Sequence, residues 1–228
     1  MIKNYFKIAW RNLVRNKGFS LTNILGLTIG MTCSIFIFLW VKDEVAFDKF
    51  HTSHDDIYKI MANRDFKNSI FTDENMAFPL ARTLETGNPQ IKYAVMTSHQ
   101  ETHTAQYGNT KLNKQGYQVS DHFFNMFSWK FIKGDAKTPI NDPKSMVLTE
   151  SAARAFFGNA DPINKIIKID NQLNFKVSAV IADPPGNSTF KFDFIVPFEY
   201  TSAESKGRML EWSNSSNFVF IQAAPGAN

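Results

Sequence analysis

The chain has 228 residues, of which 25 are basic, 21 are acidic and one is a cysteine. A single cysteine excludes an intrachain disulfide, so a folded domain must be stabilised by its apolar core, to which 22 phenylalanines contribute bulky side chains. The first 18 residues hold five basic side chains and no acidic one, and the remainder holds 20 basic and 21 acidic residues. This distribution favours attraction to an anionic lipid bilayer, and we expect no nucleic-acid partner.

Residues 1–18 are predicted to form a basic amphipathic helix. Two sets of side chains lie on opposite arcs of a helix, an apolar set and a basic set: Ile2, Tyr5, Phe6, Ala9, Trp10 and Leu13 against Lys3, Lys7, Arg11 and Arg15. A helix of this kind lies in the headgroup region of a membrane. Because Ile8 and Val14 break the pattern, an irregular positive tail that only sets the topology is the alternative.

Residues 19–41 form an uncharged run of 23 residues and are predicted to be one transmembrane helix. The run reaches about 34 Å, enough to cross a hydrocarbon core of about 30 Å. The basic residues before it predict a cytoplasmic N-terminus, with everything after Lys42 on the other side of the membrane. A cleaved signal peptide is disfavoured because its apolar region spans only about 7 to 15 residues, and because Trp40 to Glu44 offers no cleavage site.

Residues 42–56 are expected to be a charged connector, and residues 57–228 a domain of short strands and helices. Strands are predicted over residues 57–63, 91–98, 102–107, 111–119, 145–148, 165–169, 173–182 and 218–223, and around the alternating Phe190, Phe192 and Phe194. Helices are predicted at residues 79–84, after an N-cap at Asp121, at residues 150–157 between Thr149 and Gly158, and around residues 198–205. Strands and helices do not alternate regularly, so the predicted fold class is α+β.

The sequence contains no motif for catalysis or cofactor binding. It has no Gly-x-x-x-x-Gly-Lys-Ser/Thr phosphate loop, so ATP must be handled by another chain, and no Gly-x-Ser-x-Gly nucleophile elbow. We therefore predict that the chain is not an enzyme and needs no cofactor.

Two pairs of histidines have a spacing that metal sites also use. His99 and His103 are four residues apart, but they fall on a predicted strand and turn, with glutamine where a metalloprotease helix needs glutamate. His51 and His54 lie close to Asp55 and Asp56 in the charged connector. Solvated surface side chains are the preferred interpretation of His99 and His103, and a charged connector is the preferred interpretation of His51 and His54, so no metal site is predicted.

Two further groups of residues bear on function. Gly26 and Gly30 form a Gly-x-x-x-Gly in the predicted span, which favours close packing against another membrane helix, although glycine is frequent in such spans. Five phenylalanines at helical spacing favour a core over a drug-binding cleft: Phe123, Phe124, Phe127, Phe156 and Phe157.

Characteristic strings follow one another along nearly the whole chain. They are residues 9–17 (AWRNLVRNK) and 23–30 (NILGLTIG), Phe47-Asp48 and Phe50-His51 ahead of Ile57-Tyr58-Lys59, Asp121 to Phe127, Lys133-Gly134-Asp135, Val147 to Glu150, Phe156-Phe157-Gly158, Asp161-Pro162-Ile163, Asp183-Pro184-Pro185 and Phe192-Asp193-Phe194. In this order they resemble permease subunits of the MacB/FtsX type of bacterial ABC transporters. Asn164 stands where that family usually has glycine, and asparagine also tolerates a left-handed backbone.

The resemblance implies the N-terminal part of a permease subunit in the bacterial inner membrane, with a MacB-like periplasmic core domain of two subdomains. Such a permease pairs with a separate ABC ATPase subunit, forms a homodimer and can contact a periplasmic adaptor protein. It uses ATP-driven motion, transmitted through its helices, to export substrates that are already periplasmic. Further transmembrane helices follow the domain in that family, and we expect them in a longer permease here.

The alternative is a single-pass, membrane-anchored extracytoplasmic receptor or solute-binding module. A receptor needs a cytoplasmic output domain, and the predicted topology leaves only about 18 residues on that side. The sequence therefore favours the permease over the receptor.

Overall fold

The computed structural model describes residues 2–67, 69–198 and 210–227. The chain divides into two compact units, Met1–Phe47 and Asp48–Asn228. The helices are α1 (Ile2–Arg15), α2 (Lys17–Val45), α3 (Leu80–Gly87), α4 (Phe123–Met126) and α5 (Glu150–Phe157). The strands are β1 (Ile57–Lys59), β2 (Ala62–Phe66), β3 (Ser69–Asp73), β4 (Met76–Ala77), β5 (Ile91–Thr97), β6 (Glu101–Tyr107), β7 (Thr110–Val119), β8 (Phe131–Gly134), β9 (Ser145–Thr149), β10 (Ile166–Ile169), β11 (Leu173–Ile181), β12 (Phe194–Pro197) and β13 (Ser215–Ala223). The predicted α+β class is confirmed.

The first unit consists of α1 and α2, which are separated by a change of backbone direction at Asn16 (φ −108°, ψ 58°). Among the described helices, α2 alone is long and apolar enough to cross a membrane, and none of its residues is buried. The helix runs from Lys17 to Val45, so it extends beyond the predicted span of residues 19–41 at both ends and includes charged residues that we had assigned to the connector.

In the second unit, six of the described strands close into a ring in the order β7, β12, β9, β11, β10 and β6, because β6 pairs with both β10 and β7. Successive residues of a strand point to opposite faces, so neighbouring residues enter different cores. Met146 and Leu148 of β9 belong to the cluster that fills this barrel, whereas Val147 packs into a second cluster outside it.

Helix α5 packs against one end of the barrel. The Thr149 hydroxyl accepts a hydrogen bond from the Ala152 amide (3.3 Å), which is the predicted N-cap, and Gly158 ends the helix with φ 59°. Phe156 and Phe157 belong to the barrel cluster, and the Phe157 ring lies 4.5 Å from that of Tyr107 at the end of β6. This end of the barrel is therefore closed by aromatic packing.

The sheet continues outward from the barrel. Strand β7 also pairs with β5, and β13 lies between β5 and β1. The short β4 pairs with β13 as well. Helix α3 packs on this outer part through a third cluster that includes Ala81, Met96 and Val219. The unit is thus a closed barrel and an open extension of one sheet, joined at β7.

Several predicted elements differ from the structure. The single strand predicted over residues 57–63 is two strands, β1 and β2, and β2 forms a separate hairpin with β3. Phe190, Phe192 and Phe194 are buried as predicted, but the strand begins only at Phe194. The N-cap of α4 is His122 in a left-handed conformation (φ 65°), not Asp121.

Asn164 adopts the left-handed φ of 63°, in agreement with the expectation that asparagine tolerates this backbone conformation here. The helix predicted around residues 198–205 lies, from position 199 onward, outside the described residues.

Candidate functional site

The candidate functional site is the segment that follows the candidate membrane span in the chain, Asp48–Thr52, which we call the junction segment. Helix α2 ends at Val45, and only Ala46 and Phe47 separate it from Asp48, the first residue of the second unit. The junction segment is therefore the part of the second unit that lies nearest to α2 along the chain.

Asp48 is hydrogen-bonded to the turn that precedes β12. Its amide donates to the Asn187 carbonyl (2.9 Å), and one carboxylate oxygen accepts from the Thr189 amide (2.8 Å). The other carboxylate oxygen accepts from the Thr189 hydroxyl. Asp48 has φ 56°, a conformation that short polar residues tolerate better than most. Three hydrogen bonds, two of them to an ionised group, thus fix the first residue of the domain.

His51 ties the junction segment to the loop between α4 and β8. The side chain is buried (2% exposed), and its Nδ1 accepts a hydrogen bond from the Ser128 amide (3.0 Å). The Thr52 amide in turn donates to the Ser128 hydroxyl (2.9 Å). The imidazole lies among aromatic rings, with centroid distances of 4.0 Å to Phe50, 5.1 Å to Phe127 and 5.3 Å to Trp129.

The chemistry of this pocket keeps His51 neutral. Burial lowers the pKa of His51 below its usual 6.5, and the nearby Asp48 carboxylate opposes this shift only in part. Since Nδ1 accepts a hydrogen bond, the neutral ring carries its proton on Nε2. Within the described part of the chain, the buried Nε2 of His51 and Nε1 of Trp129 have no hydrogen-bond partner. The ring is therefore held by one hydrogen bond and by aromatic packing.

The junction segment is attached to two parts of the domain. Asp48 is attached to the turn before β12, a barrel strand, and His51 to the loop before β8, which pairs with the barrel strand β11. The two attachments lie within four residues of chain, and one is polar while the other is buried.

Sequence reasoning missed the partners of the junction segment. Phe47-Asp48 and Phe50-His51 are among the family-like strings, but Thr189 lies 141 residues from Asp48 and Ser128 lies 77 residues from His51. Pairs so distant leave no local pattern. The only sequence signal for this site was that Asp48 and His51, flanked by Phe47 and Phe50, come shortly after an apolar helix.

The predicted membrane-packing residues, Gly26 and Gly30, lie on the exposed surface of α2. In the part of the chain that the structure describes, no neighbouring atom lies within 4 Å of a Cβ built at either position. Their role in helix packing stays a prediction.

The histidine pairs have separate partners. His99 Nε2 lies 2.8 Å from Asn75 Oδ1, whereas His103 Nδ1 lies 2.6 Å from Asp170 Oδ2. His54 contacts Asp55 (2.9 Å). Among the described residues, no group of three or more histidine, cysteine, aspartate or glutamate side chains has a metal-binding arrangement.

The five phenylalanines at helical spacing belong to two different cores. Phe123 and Phe127 are buried in the cluster outside the barrel, with Phe124 packed against it. Phe156 and Phe157 are buried in the barrel cluster. The core interpretation of these side chains is confirmed.

Together, the fold and the junction segment define an α+β domain attached directly to a candidate membrane span. The MacB-like periplasmic core domain matches residues 20–228, and the chain belongs to this family. The family is a domain of ABC transporter permeases, which confirms the resemblance found in the sequence.

Three solved structures have a similar fold. A domain from Porphyromonas gingivalis, whose parent protein is provisionally named a permease, has a TM-score of 0.67 at 20% identity, over 78% of this chain and 79% of that one. The periplasmic region of MacB from Actinobacillus actinomycetemcomitans has a TM-score of 0.54 at 17% identity, over 76% and 77%. The extracellular domain of the noncanonic ABC-type transporter YknZ from Gram-positive bacteria has a TM-score of 0.50 at 13% identity, over 73% and 81%. A search of curated protein sequences finds no match.

Proposed function

We propose that the chain is the N-terminal part of a MacB/FtsX-type permease subunit in the bacterial inner membrane. Its N-terminus is cytoplasmic and its main domain periplasmic. ATP hydrolysed by a separate ABC ATPase subunit drives a movement of α2, and the periplasmic domain carries this movement to a substrate or an adaptor protein during export. Family membership, the candidate span and the junction segment support the proposal.

The junction segment is the observation that supports transmission of the movement of α2 to the periplasmic domain. A flexible linker would absorb a movement of α2, because a flexible chain transmits little displacement. Here Asp48 follows the end of α2 by three residues and makes three hydrogen bonds. A movement of the helix end would therefore reach, within three residues, a residue that is hydrogen-bonded to the domain.

Two partners complete the proposal. Gly26 and Gly30 provide a surface for close helix packing, which suits a permease homodimer. The basic, amphipathic α1, with Tyr5, Phe6 and Trp10 exposed, suits the lipid headgroup region on the cytoplasmic side.

The test is reconstitution of the chain, in its complete reading frame, with the ABC ATPase encoded beside it in proteoliposomes. ATP hydrolysis is expected to depend on the permease. Asp48→Ala and Thr189→Val, which remove opposite sides of the same contact, are expected to reduce this dependence towards the rate of the ATPase alone. Asp56→Ala, in the same region but with an exposed side chain, is the matched control and should behave as wild type.

Circular dichroism of each purified variant separates loss of coupling from loss of fold. A folded Asp48→Ala permease that couples normally would contradict the mechanical role of the junction segment. An ATPase indifferent to the whole chain would contradict the permease proposal itself.

A further inference from the structure

The barrel has one open end. At the end where β6 and β11 begin, opposite the end closed by α5, there is a cleft of about 180 Å³. Its floor is apolar and buried, and is formed by Ile169, Phe175, Phe194 and Val196. The mouth of a barrel is a common place for a binding site, because the strands hold its walls rigidly.

Gly116 makes room for the floor of the cleft. It pairs with Phe194 across the parallel strands β7 and β12, and a Cβ built at position 116 would overlap the Phe194 ring. Any side chain here would displace the aromatic ring. The cleft thus depends on a glycine with an ordinary backbone conformation, whose function is close approach rather than a turn.

The rim of the cleft is acidic. Glu101, His103 and Asp170 lie there, with His103 between the two carboxylates: Nδ1 is 2.6 Å from Asp170 Oδ2 and Nε2 is 3.6 Å from Glu101 Oε2. Of the described residues that line the cleft, none is a lysine or an arginine. The rim therefore carries net negative charge whether His103 is neutral or protonated.

Asp170 is fixed in an ionised state. Its other oxygen accepts from the Thr104 amide (2.9 Å), and it follows β10 with φ 50°. Partial burial raises the pKa of Asp170, but the hydrogen bonds from His103 and Thr104 outweigh that effect and hold the pKa below its usual value. Glu101 has a freer side chain, which is 59% exposed.

Size and chemistry together select the occupant. The cleft is smaller than the roughly 300–1,000 Å³ of sites for drug-sized ligands, so it suits a single side chain. Lysine and arginine have an apolar stem that packs on rings and a cationic head that pairs with carboxylates. We propose that the open end of the barrel is a socket for one arginine or lysine side chain of a partner polypeptide. The stem lies against Phe194, and the cation contacts Glu101 and Asp170.

The inference goes beyond the proposed function and does not depend on it, because the socket can bind a peptide in a permease that hydrolyses no ATP. The probe is the capped tripeptide acetyl-Ala-Arg-Ala-amide, titrated into the full chain in detergent micelles. The readout is the NMR signal of ¹³C-labelled His103, identified among the five histidines by its loss in His103→Asn.

The arginine peptide is expected to shift the His103 signal with saturation, and the matched norleucine peptide, which keeps the stem without the charge, is expected to bind more weakly. Glu101→Gln should weaken binding of the arginine peptide roughly two- to fivefold, as for an exposed ion pair. Glu150→Gln removes an acidic side chain from α5, outside the cleft, and should leave binding unchanged.

Three results would overturn the socket. They are equal affinity for the arginine and norleucine peptides, unchanged affinity in Glu101→Gln, and binding of free guanidinium ion as tight as that of the peptide, which would mean that the stem contributes nothing. Because Glu101 is exposed, Glu101→Gln is not expected to unfold the domain, and an unchanged pattern of the other histidine signals verifies this.

Discussion

At the scale of single residues, Gly134 occupies a position that only glycine can fill without strain. Gly134 ends β8 with φ 85°, and a Cβ built there would overlap the Ser178 carbonyl and Ala179 of the adjacent β11. Both the backbone conformation and the space exclude a side chain. This accounts physically for the Lys133-Gly134-Asp135 string that contributed to the family resemblance.

Gly134→Ala is therefore expected to lower the free energy of unfolding by about 2 to 4 kcal/mol, from the left-handed backbone and the overlap together. Urea unfolding in detergent micelles, followed by tryptophan fluorescence, measures it. Gly186→Ala, at a site with ordinary φ and no atom within 4 Å among the described residues, should stay within about 0.5 kcal/mol of wild type. Equal stability of the two variants would contradict the steric argument.

The buried imidazole of His51 makes stability depend on pH. Its folded pKa lies below the usual 6.5, so below about pH 6.5 the unfolded chain binds the proton first. The contribution of neutral His51 is complete above that pH and declines as the pH falls towards the folded pKa. His51→Asn is expected to lose less stability than wild type between pH 7.5 and pH 5, whatever its stability at pH 7.5.

The measurement is urea unfolding at both pH values. His99→Asn is the control, because His99 is exposed and its imidazole pairs with Asn75 rather than with the junction segment. It should lose as much stability as wild type on acidification. Parallel losses in wild type and His51→Asn would show that another group dominates the acid response.

At the scale of elements, α5 illustrates what a local pattern can specify. Thr149, Gly158 and the apolar positions between them predicted its bounds, and the structure places Glu150–Phe157 between the same two residues. An ion pair between Glu150 and Arg154 (3.0 Å) adds one more local contact. Capping, spacing and termination all lie within ten residues, so no tertiary information was needed.

The Thr149 cap can be tested directly. Thr149→Ala removes the oxygen that accepts from the Ala152 amide and is expected to lower the free energy of unfolding by about 1 kcal/mol. Thr149→Ser keeps the oxygen and should cost less than half as much in the same urea titration. If the two variants lose equal stability, the lost methyl group and not the cap is responsible.

The β2–β3 hairpin shows where local patterns fail. Phe66 and Phe71 lie on one face of it and Ile70 on the other, and all three are exposed, at 68%, 62% and 76%. With no buried face, the segment has no period-two pattern, and the sequence gives no reason to separate β2 from β1. The short strands β4 and β8 were not predicted for a different reason, because two to four residues are too few to show an alternating pattern.

At the scale of the whole molecule, closure of the barrel was beyond local reasoning. Strands β6 and β10 pair at Ala105 and Ile169, and β12 lies parallel to β7, although long stretches of chain separate the partners. Five of the six barrel strands, β6, β7, β9, β10 and β11, were predicted from their own residues, but which strands meet depends on packing that no short window contains. The junction segment and the cleft escaped prediction for the same reason.

Self-association of the membrane helix is a prediction at this scale. Gly26→Leu and Gly30→Leu are each expected to shift association in lipid vesicles to higher protein density, measured by energy transfer between labelled copies. Thr28→Leu places the same leucine side chain on the opposite face of α2, about 200° around the helix, and should have little effect. Association unchanged in all three variants would exclude the glycine face as the contact.

The pairing of β1 with β13 has a consequence for how the domain bears force. Ile57 faces Gln222 and Lys59 faces Phe220 in this antiparallel pair, so the start of β1 and the end of β13 are neighbours. When two paired strands are pulled in opposite directions from neighbouring ends, their hydrogen bonds break one at a time. When both strands move together, all of these hydrogen bonds are kept. Opposing forces on these two ends would therefore load the hydrogen bonds between β1 and β13 one after another, and not all at once.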